Sequence, residues 1–479
     1  MLGEDSGSEQ VKTPRSQPVL LAMALLLGLG MTYYYYGLLL PMRQRDLHLT
    51  NAAGGNWSDL YPRWLGAREL LLHGRNPYSP EVTSEIQRGF YGRPLDTSKR
   101  GDPSDQESFA YPLYVVLLLA PWLSFSFPTV SLVFEMVLFV ITLASVFWWL
   151  RAMRLRPRAN SMLLAVIVAM TSYPVLDGLH LQQLTLLVAA LMAASMALLA
   201  GKRLFLAGVL LACATIKPQL VFLLLMGLIV WSLSRWRERK NLLAGFAVTQ
   251  AVLLGGAELL LPGWLGFWRQ ATQRYVGYVR PSMVGAILGA RMGLVAAGAA
   301  VFLVVLLFWR FRQHEPGSQQ FNFLLVCALL VPTLLVPNAG GSKYNLVLLI
   351  PEVLWLFSSG LALRPLSVFA RFGWLLAFNG LVWQWLLALG VVFAVVILRH
   401  PLQHEATALG AAPEIAVYLF PFTLIPVLLS AVLHLDEMAG RTGRAQEQAL
   451  QLASHGQPAA PHPRLPARDQ QAPSPTEQP

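Results

Sequence analysis

The stretch that decides the fold covers residues 111–158 and reads YPLYVVLLLAPWLSFSFPTVSLVFEMVLFVITLASVFWWLRAMRLRPR. A short apolar segment with a proline near each end precedes a longer one at 129–150, and four arginines follow. Crossing a bilayer takes about 20 apolar residues, and short loops rich in arginine stay on the cytoplasmic side. The sequence therefore predicts that residues 111–127 form a short re-entrant or interfacial helix that does not span. The run at 129–150 is predicted to span and to end at the inner surface.

The composition of the whole chain is that of a polytopic membrane protein. Of its 479 residues, 55% are hydrophobic and only 13% are charged, about half the charged fraction of soluble domains. The net charge of +11 comes from Lys and Arg in short clusters between apolar runs, which indicates topology and no nucleic-acid partner. Cys213 and Cys327 both lie inside apolar runs, so the pair offers neither a disulfide framework nor a zinc site.

Working outward from 111–158, the apolar runs alternate so that every short basic loop falls on the same side. This pattern predicts an all-α polytopic membrane protein with about twelve transmembrane helices and both termini in the cytoplasm. The predicted spans are 18–40, 129–150, 161–176, 184–200, 204–216, 220–233, 242–261, 284–309, 321–336, 344–362, 372–398 and 412–433.

Three parts of the chain follow from this topology. Residues 1–17 form a cytoplasmic N-terminal segment, and residues 18–434 form the transmembrane domain. Within that domain, 41–128 is an outer loop that carries amphipathic and re-entrant or juxtamembrane helices. Residues 435–479 are rich in Gln, Ala and Pro, a composition that predicts a disordered cytoplasmic tail.

The outer loop contains Asn56-Trp57-Ser58-Asp59-Leu60-Tyr61-Pro62-Arg63-Trp64, a carboxylate in an aromatic and basic setting. Apolar residues at three- and four-residue spacing predict an amphipathic helix over 59–73, with Gly74 as its cap. Two roles for Asp59 stay open at this point. It is either the N-cap of that helix or a general base.

Further polar residues fall at or below the predicted outer surface, and together they predict a polar cavity that opens outward. Ionisable residues at such positions are costly and tend to be functional, although residues at helix ends also reach the interface by snorkelling. The candidates are His180, Gln182, Lys217, Arg274, Arg291, Lys343 and Tyr344, with Tyr61, Arg63 and Tyr111 from the outer loop.

Cations facing a carboxylate suit the transfer of a sugar from a lipid phosphate. The cations would hold the phosphate, and the carboxylate would take the proton of the acceptor hydroxyl. The sequence has no Asp-x-Asp pair, G-x-G-x-x-G motif or Walker loop, so no metal and no cofactor are expected. Two alternatives are a transporter or flippase for a lipid-linked sugar and a polymerase or ligase that transfers whole glycans.

Several segments, in order and spacing, resemble glycosyltransferase family 87. They are Ser58-Asp59-Leu60-Tyr61 with Leu70 to Tyr78, Phe109 to Leu113, Asp177 to Leu184, Ala207 to Gln219, and Asn338 to Pro351. The chain departs from the family pattern at three points. Leu113 stands for the second proline of a Tyr-Pro-Pro run, Gln182-Gln183-Leu184-Thr185 stands for Gln-x-Asn, and Lys343 stands where a histidine commonly precedes the tyrosine.

The resemblance implies the C-type fold of polytopic sugar transferases (GT-C), with a catalytic aspartate in the first outer loop. It also implies an inverting, metal-independent transfer at the outer face of the cell membrane. The donor would be a polyprenyl-phosphate sugar, typically of mannose, and the acceptor a lipid-linked or glycan molecule. By position, Asp59 would be the base and Lys217 a donor-phosphate ligand. The other donor-binding candidates are His180, Gln182, Lys343, Tyr344, Arg274 and Arg291, and those for loop or acceptor positioning are Tyr61, Arg63 and Tyr111.

Overall fold

A computed structural model of the chain describes residues 16–49, 55–96, 102–103, 105–336, 342–359, 367–399, 408–435 and 437. The predicted N-terminal segment lies outside the described residues except for 16 and 17. The predicted tail lies outside them except for 435 and 437.

Within these ranges the chain is helical and contains no strand. The α-helices are α1 (Ser16–Tyr33), α2 (Leu40–Leu49), α3 (Tyr61–His73), α4 (Pro80–Tyr91), α5 (Val115–Leu119), α6 (Phe127–Ala152), α7 (Ala159–Met170), α8 (Tyr173–His180), α9 (Leu184–Ala200), α10 (Leu204–Ala214), α11 (Pro218–Ser234), α12 (Trp236–Leu260), α13 (Trp264–Tyr278), α14 (Met283–Leu288), α15 (Ala290–Arg310), α16 (Gln319–Leu335), α17 (Ile350–Ser358), α18 (Val368–Val396) and α19 (Ala408–Ala416). A π-helical turn (Tyr34–Leu39) joins α1 to α2, 3-10 turns cover Ala120–Trp122 and Lys343–Leu349, and a last helical stretch covers 419–435.

By length and composition, six helical segments are long and apolar enough to cross a membrane, or seven if the bent pair α7 and α8 is one span. Four further apolar helices, α9, α10, α11 and α16, have only 11 to 17 residues. The shortest of them, α10, is about 16 Å long, roughly half the thickness of the hydrocarbon core. The count of about twelve spans and the placement of both termini in the cytoplasm therefore stay predictions.

Two local predictions for the segment before α6 are confirmed. Residues 111–126 contain only the five-residue α5 and a 3-10 turn, which are too short to span. The helix predicted over 59–73 is α3, which has Pro62 in its first turn and ends at Gly74. Gly74 has φ 65°, a left-handed conformation that glycine adopts without steric cost at the end of a helix.

Two predicted spans differ from the structure because proline interrupts them. The run at 161–176 is broken into α7 and α8, which meet at an angle of 53°. Pro174 lies in the first turn of α8 and has no N–H with which to continue the ladder of α7. The run at 344–362 begins as the 3-10 turn and becomes the nine-residue α17, whose first turn contains Pro351.

The centre of the bundle is α9, most of whose side chains are buried. It packs between α6 and α10, and α10 packs against α12. At this last contact the two backbones touch. A Cβ atom on Gly245 would meet the backbone of Phe205, whereas a Cβ atom on Gly255 of the same helix would meet nothing within 4 Å.

The bundle has two ends, and α6 runs from one to the other. At its start the Phe127 ring packs 4.8 Å from the Tyr61 ring of the outer loop, and we call this the loop end. At its finish come Arg151, Arg154, Arg156 and Arg158, and we call this the arginine end. The 26 residues of α6 place the two ends about 39 Å apart.

Replacing Gly245 with alanine is expected to destabilise the protein by about 1–3 kcal/mol, because the added methyl group forces α12 away from the backbone of α10. The matched substitution Gly255→Ala should stabilise α12 by about 0.5–1 kcal/mol, the difference in helix propensity. Thermal unfolding midpoints of the two purified variants in detergent test this. Equal midpoints would show that α10 and α12 are not in backbone contact.

Candidate active site at the loop end

Asp59 lies immediately before α3, and the contacts of its backbone and side chain fix its position. Its backbone N–H donates to the carbonyl of Leu181 over 3.0 Å, and its carboxylate accepts a hydrogen bond from the side-chain amide of Gln183. Asp59 does not cap α3. The helix has no side-chain cap, and the N–H of Leu60 is bound instead by the hydroxyl of Ser58 at 3.2 Å. Of its two possible roles, the N-cap is excluded.

Lys217 lies in the break between α10 and α11, where Pro218 begins the second helix. Its side chain is nearly fully buried. The ammonium donates to the Gln183 side-chain oxygen over 2.8 Å and to the Thr185 hydroxyl over 2.6 Å. It also lies 5.1 Å from the centre of the Tyr344 ring. These partners hold the cation without a direct carboxylate contact.

Gln183 therefore joins the candidate base to the candidate phosphate ligand. Its Nε2 donates to Asp59 and its Oε1 accepts from Lys217. The sequence instead predicted the neighbouring Gln182 as a donor-binding residue. Gln182 has φ 52°, and its side chain points elsewhere, to the hydroxyls of Ser58 and Ser131. The sequence pointed only to the pair of glutamines and held no signal to choose between them.

Arg63 and Tyr111 place a second cation beside Lys217. The Arg63 guanidinium stacks 4.5 Å from the centre of the Tyr111 ring, and the Lys217 ammonium lies 5.7 Å from the same centre. Arg63 also donates to the backbone carbonyl of Asp59 over 2.5 Å and lies 3.9 Å from the Glu107 carboxylate. Its buried Nε has no hydrogen-bond partner among the described residues.

Both cations border a cavity of about 340 Å³. Its wall combines aromatic rings and aliphatic groups with a few polar side chains. The lining residues are Arg63, Ala110, Tyr111, Pro112, Ile216, Lys217, Pro218, Gln219, Trp268, Thr272, Tyr275, Val276, Val336, Ser342, Tyr344 and Asn345. Helix α13 forms one side, held in place by a 3.2 Å hydrogen bond from the Trp268 indole to the carbonyl of Ala110. Trp268 and Tyr275 were not among the sequence-based candidates.

The structure places other candidates elsewhere. Arg274 lies on α13 between Thr272 and Tyr275, which line the cavity. One position along a helix turns the side chain by about 100°, and Arg274 borders a separate open groove with Asn76 and Phe267. Arg291 is exposed in the first turn of α15. Tyr61 packs between the rings of Trp64 and Phe127.

Lys343 and His180 belong to a second polar cluster beside the cavity. The Lys343 ammonium pairs with the Glu414 carboxylate. The His180 ring lies 6.1 Å from that of Tyr35, whose hydroxyl donates to Asp177 over 3.0 Å. Tyr344, the residue after Lys343, does line the cavity.

The electrostatic setting adapts Asp59 to proton transfer. Burial raises the pKa of its carboxyl to about 6, although the Arg63 and Lys217 charges act in the opposite direction. Burial, with the Asp105 and Asp59 carboxylates nearby, also raises the pKa of Glu107 well above its ordinary value. Within the described ranges, no group of three His, Cys, Asp or Glu side chains is arranged to hold a metal ion. The site thus combines a carboxylate that titrates near neutral pH with two cations at an apolar cavity.

The chain was also compared with known proteins. Neither the curated proteins nor the solved structures contain a chain that matches it. The family model of glycosyltransferase family 87 matches residues 109–337, just under half of the chain. This range includes Tyr111, Gln183 and Lys217, while Asp59 precedes it and Tyr344 follows it. Over these residues the chain is similar to glycosyltransferase family 87, and its helices of membrane-spanning length suit a membrane glycosyltransferase.

Proposed function

We propose that the protein transfers a hexose, with mannose as the first candidate, from a polyprenyl-phosphate donor to a lipid-linked or glycan acceptor at the outer face of the cytoplasmic membrane. The observation that carries this proposal is the hydrogen-bonded chain from Lys217 through Gln183 to Asp59. The side-chain amide of Gln183 thus lies between a cation that would bind the phosphate and a carboxylate that would act as the base. The match to a glycosyltransferase family over residues 109–337 favours this reaction over the movement of a lipid-linked sugar by a flippase.

The cavity suits the donor because it is apolar over most of its wall and cationic at one point. A prenyl chain needs an apolar surface, and a phosphate needs cations that can desolvate with it. Lys217 and Arg63 both lie close to the Tyr111 ring, so both charges would act on a phosphate bound beside that ring. Since the leaving phosphate needs charge stabilisation more than protonation, these two cations take the role that a metal ion has in other transferases.

Asp59 is placed to take the proton. One oxygen, Oδ2, is held by Gln183, and in the described part of the chain Oδ1 accepts no hydrogen bond. As the acceptor hydroxyl attacks the anomeric carbon, the new C–O bond forms while the bond to the phosphate oxygen breaks. The hydroxyl proton passes to Asp59, and the electron pair leaves with the phosphate. Attack opposite to the leaving group inverts the anomeric configuration.

Replacing Asp59 with asparagine is expected to lower kcat about 10²–10⁴-fold, the usual contribution of a positioned base, with little change in donor KM. The assay measures transfer from polyprenyl phosphomannose by purified protein in detergent. Glu81→Gln removes an exposed carboxylate from α4 of the same loop and should leave the rate unchanged. An Asp59→Asn enzyme as active as wild type would remove Asp59 from the reaction.

The pH dependence follows from the raised pKa of Asp59. The base must be ionised to accept a proton, so kcat should be constant well above pH 6 and fall tenfold per pH unit well below it. The acidic limb should have an apparent pKa near 6, whereas a solvated aspartate would place it near 4. A rate that stays constant down to pH 5 would contradict this setting of Asp59.

Two lysines offer a matched comparison for donor binding. Lys217→Met removes a cation from the cavity wall and is expected to lower kcat/KM for the donor about 10²–10³-fold, as the loss of a charge-stabilising donor does elsewhere. Lys343→Met removes a cation that pairs with Glu414. This variant should have a lower thermal midpoint than wild type and an unchanged donor KM. A large loss of donor binding in Lys343→Met, with little loss in Lys217→Met, would assign the phosphate site to Lys343 instead.

A further inference from the structure

The arginine end of the bundle carries a concentration of positive charge that the transferase site does not use. Arg151, Arg154, Arg156 and Arg158 fall within eight residues between α6 and α7. Among the described residues, the side chains of these four arginines form no ion pair or hydrogen bond. Elsewhere at this end, by contrast, Arg239 is paired with Glu315 at 2.6 Å.

An apolar cavity of about 380 Å³ opens directly beside these arginines. Its mouth is formed by Arg156, Pro157 and Ser161, and its wall by aliphatic and aromatic side chains. The wall residues are Leu150, Leu155, Leu164, Ala165, Val168, Val353, Leu354 and Phe357, with Ser358. The cavity continues toward the loop end into a smaller void of about 40 Å³, with which it shares Ala165, Val168, Val353 and Leu354.

The packing of α7 shows that this space belongs to the fold. Helix α7 contacts α1 and α6, yet of its twelve residues only Ala169 is fully buried, so its packing leaves space beside the α17 residues of the cavity wall. Protein interiors are otherwise packed as densely as organic crystals, and an apolar cavity of this size stays dry or takes an apolar ligand. The occupant must therefore be apolar over most of its length.

We propose that this cavity binds one anionic glycerophospholipid from the leaflet at the arginine end. An acyl chain fills the apolar cavity, and the phosphate lies at its mouth between Arg156 and Arg158. Guanidinium groups are suited to phosphate because they donate two parallel hydrogen bonds and desolvate more easily than ammonium groups. The Ser161 hydroxyl, also at the mouth, adds a neutral donor.

The site is separate from the transferase site, because the length of α6 lies between them. Its occupant would act on the fold by filling the gap between α7, α6 and α17. A ligand that binds only the folded state raises its stability by mass action, so the readout is lipid retention together with the thermal midpoint.

The test uses full-length protein in non-ionic detergent with added phosphatidylglycerol, or with phosphatidylcholine of the same acyl chains. Native mass spectrometry measures the bound lipid, and thermal unfolding measures the shift in midpoint. We expect one phosphatidylglycerol to be retained and to raise the midpoint, and phosphatidylcholine to bind at least tenfold more weakly. Equal binding of the two lipids would overturn the proposal.

Two sets of variants distinguish a lipid bound in the cavity from nonspecific electrostatic binding of lipids to a basic surface. The double substitution Arg156→Gln with Arg158→Gln should weaken retention about fivefold per guanidinium, since each charge near an anionic surface contributes about 1 kcal/mol. The control, Arg237→Gln with Lys240→Gln, removes two exposed charges from α12 at the same end and should retain the lipid as wild type does.

Ser161→Trp places a ring in the mouth of the cavity and should abolish retention without changing the midpoint measured without lipid. If that variant does not fold, Leu164→Phe narrows the same cavity and carries the same expectation. Full retention by a folded cavity variant would show that the arginines attract lipid only diffusely, and the proposal fails. Displacement of phosphatidylglycerol by equimolar polyprenyl phosphate would also overturn it, because the site would then be one for the donor's carrier lipid.

Discussion

The hydrogen bonds that run from Lys217 through Gln183 to Asp59 are the constraint on which the loop end depends. A buried ammonium and a partly buried carboxylate each lose hydration, and each needs a polar partner in return. A primary amide can serve both at once, because it carries a donor and an acceptor on the same planar group. Gln183 precedes α9, Lys217 precedes α11 and Asp59 precedes α3. The amide thus fixes the start of three helices relative to one another.

Gln183 and Lys217 lie in short breaks between helices, and Asp59 lies in the loop before α3. Non-helical backbone at membrane depth survives only where it is buried in protein or lines a cavity. Pro218 ends the ladder of α10, and the bend before Pro174 ends that of α7. At such breaks backbone groups lose their helical partners, and side chains such as Thr185 and Gln183 can turn toward the resulting space. The prolines that make several helices too short to span are therefore also what opens the site.

The sequence predicted the features that depend on local chemistry. Proline spacing and arginine placement identified the non-spanning segment before α6, and the apolar spacing with Gly74 identified α3. Asp59 and Lys217 stood out because charge next to apolar runs is costly. It could not predict features that depend on distant contacts or on a single dihedral angle. The left-handed backbone of Gln182 decides which glutamine faces Asp59, and the meeting of Lys343 with Glu414 depends on how the last helix packs. The sequence also did not show at which residue of each apolar run the helix ends.

The two buried lysines show why proximity to the cavity does not make a phosphate ligand. Lys343 has Glu414 as its partner, and Glu414 also lies 3.5 Å from Arg43. Arg43 in turn lies 3.4 Å from Asp177, so two cations and two carboxylates balance one another. An anion arriving at Lys343 would have to displace a carboxylate and leave it buried without a partner, at a cost of several kcal/mol. Among the described residues, the hydrogen-bond partners of Lys217 are neutral groups such as those of Gln183 and Thr185. An anion arriving there would neutralise a buried charge and displace none, and this difference in free energy favours Lys217 over Lys343 as a binding site for an anion.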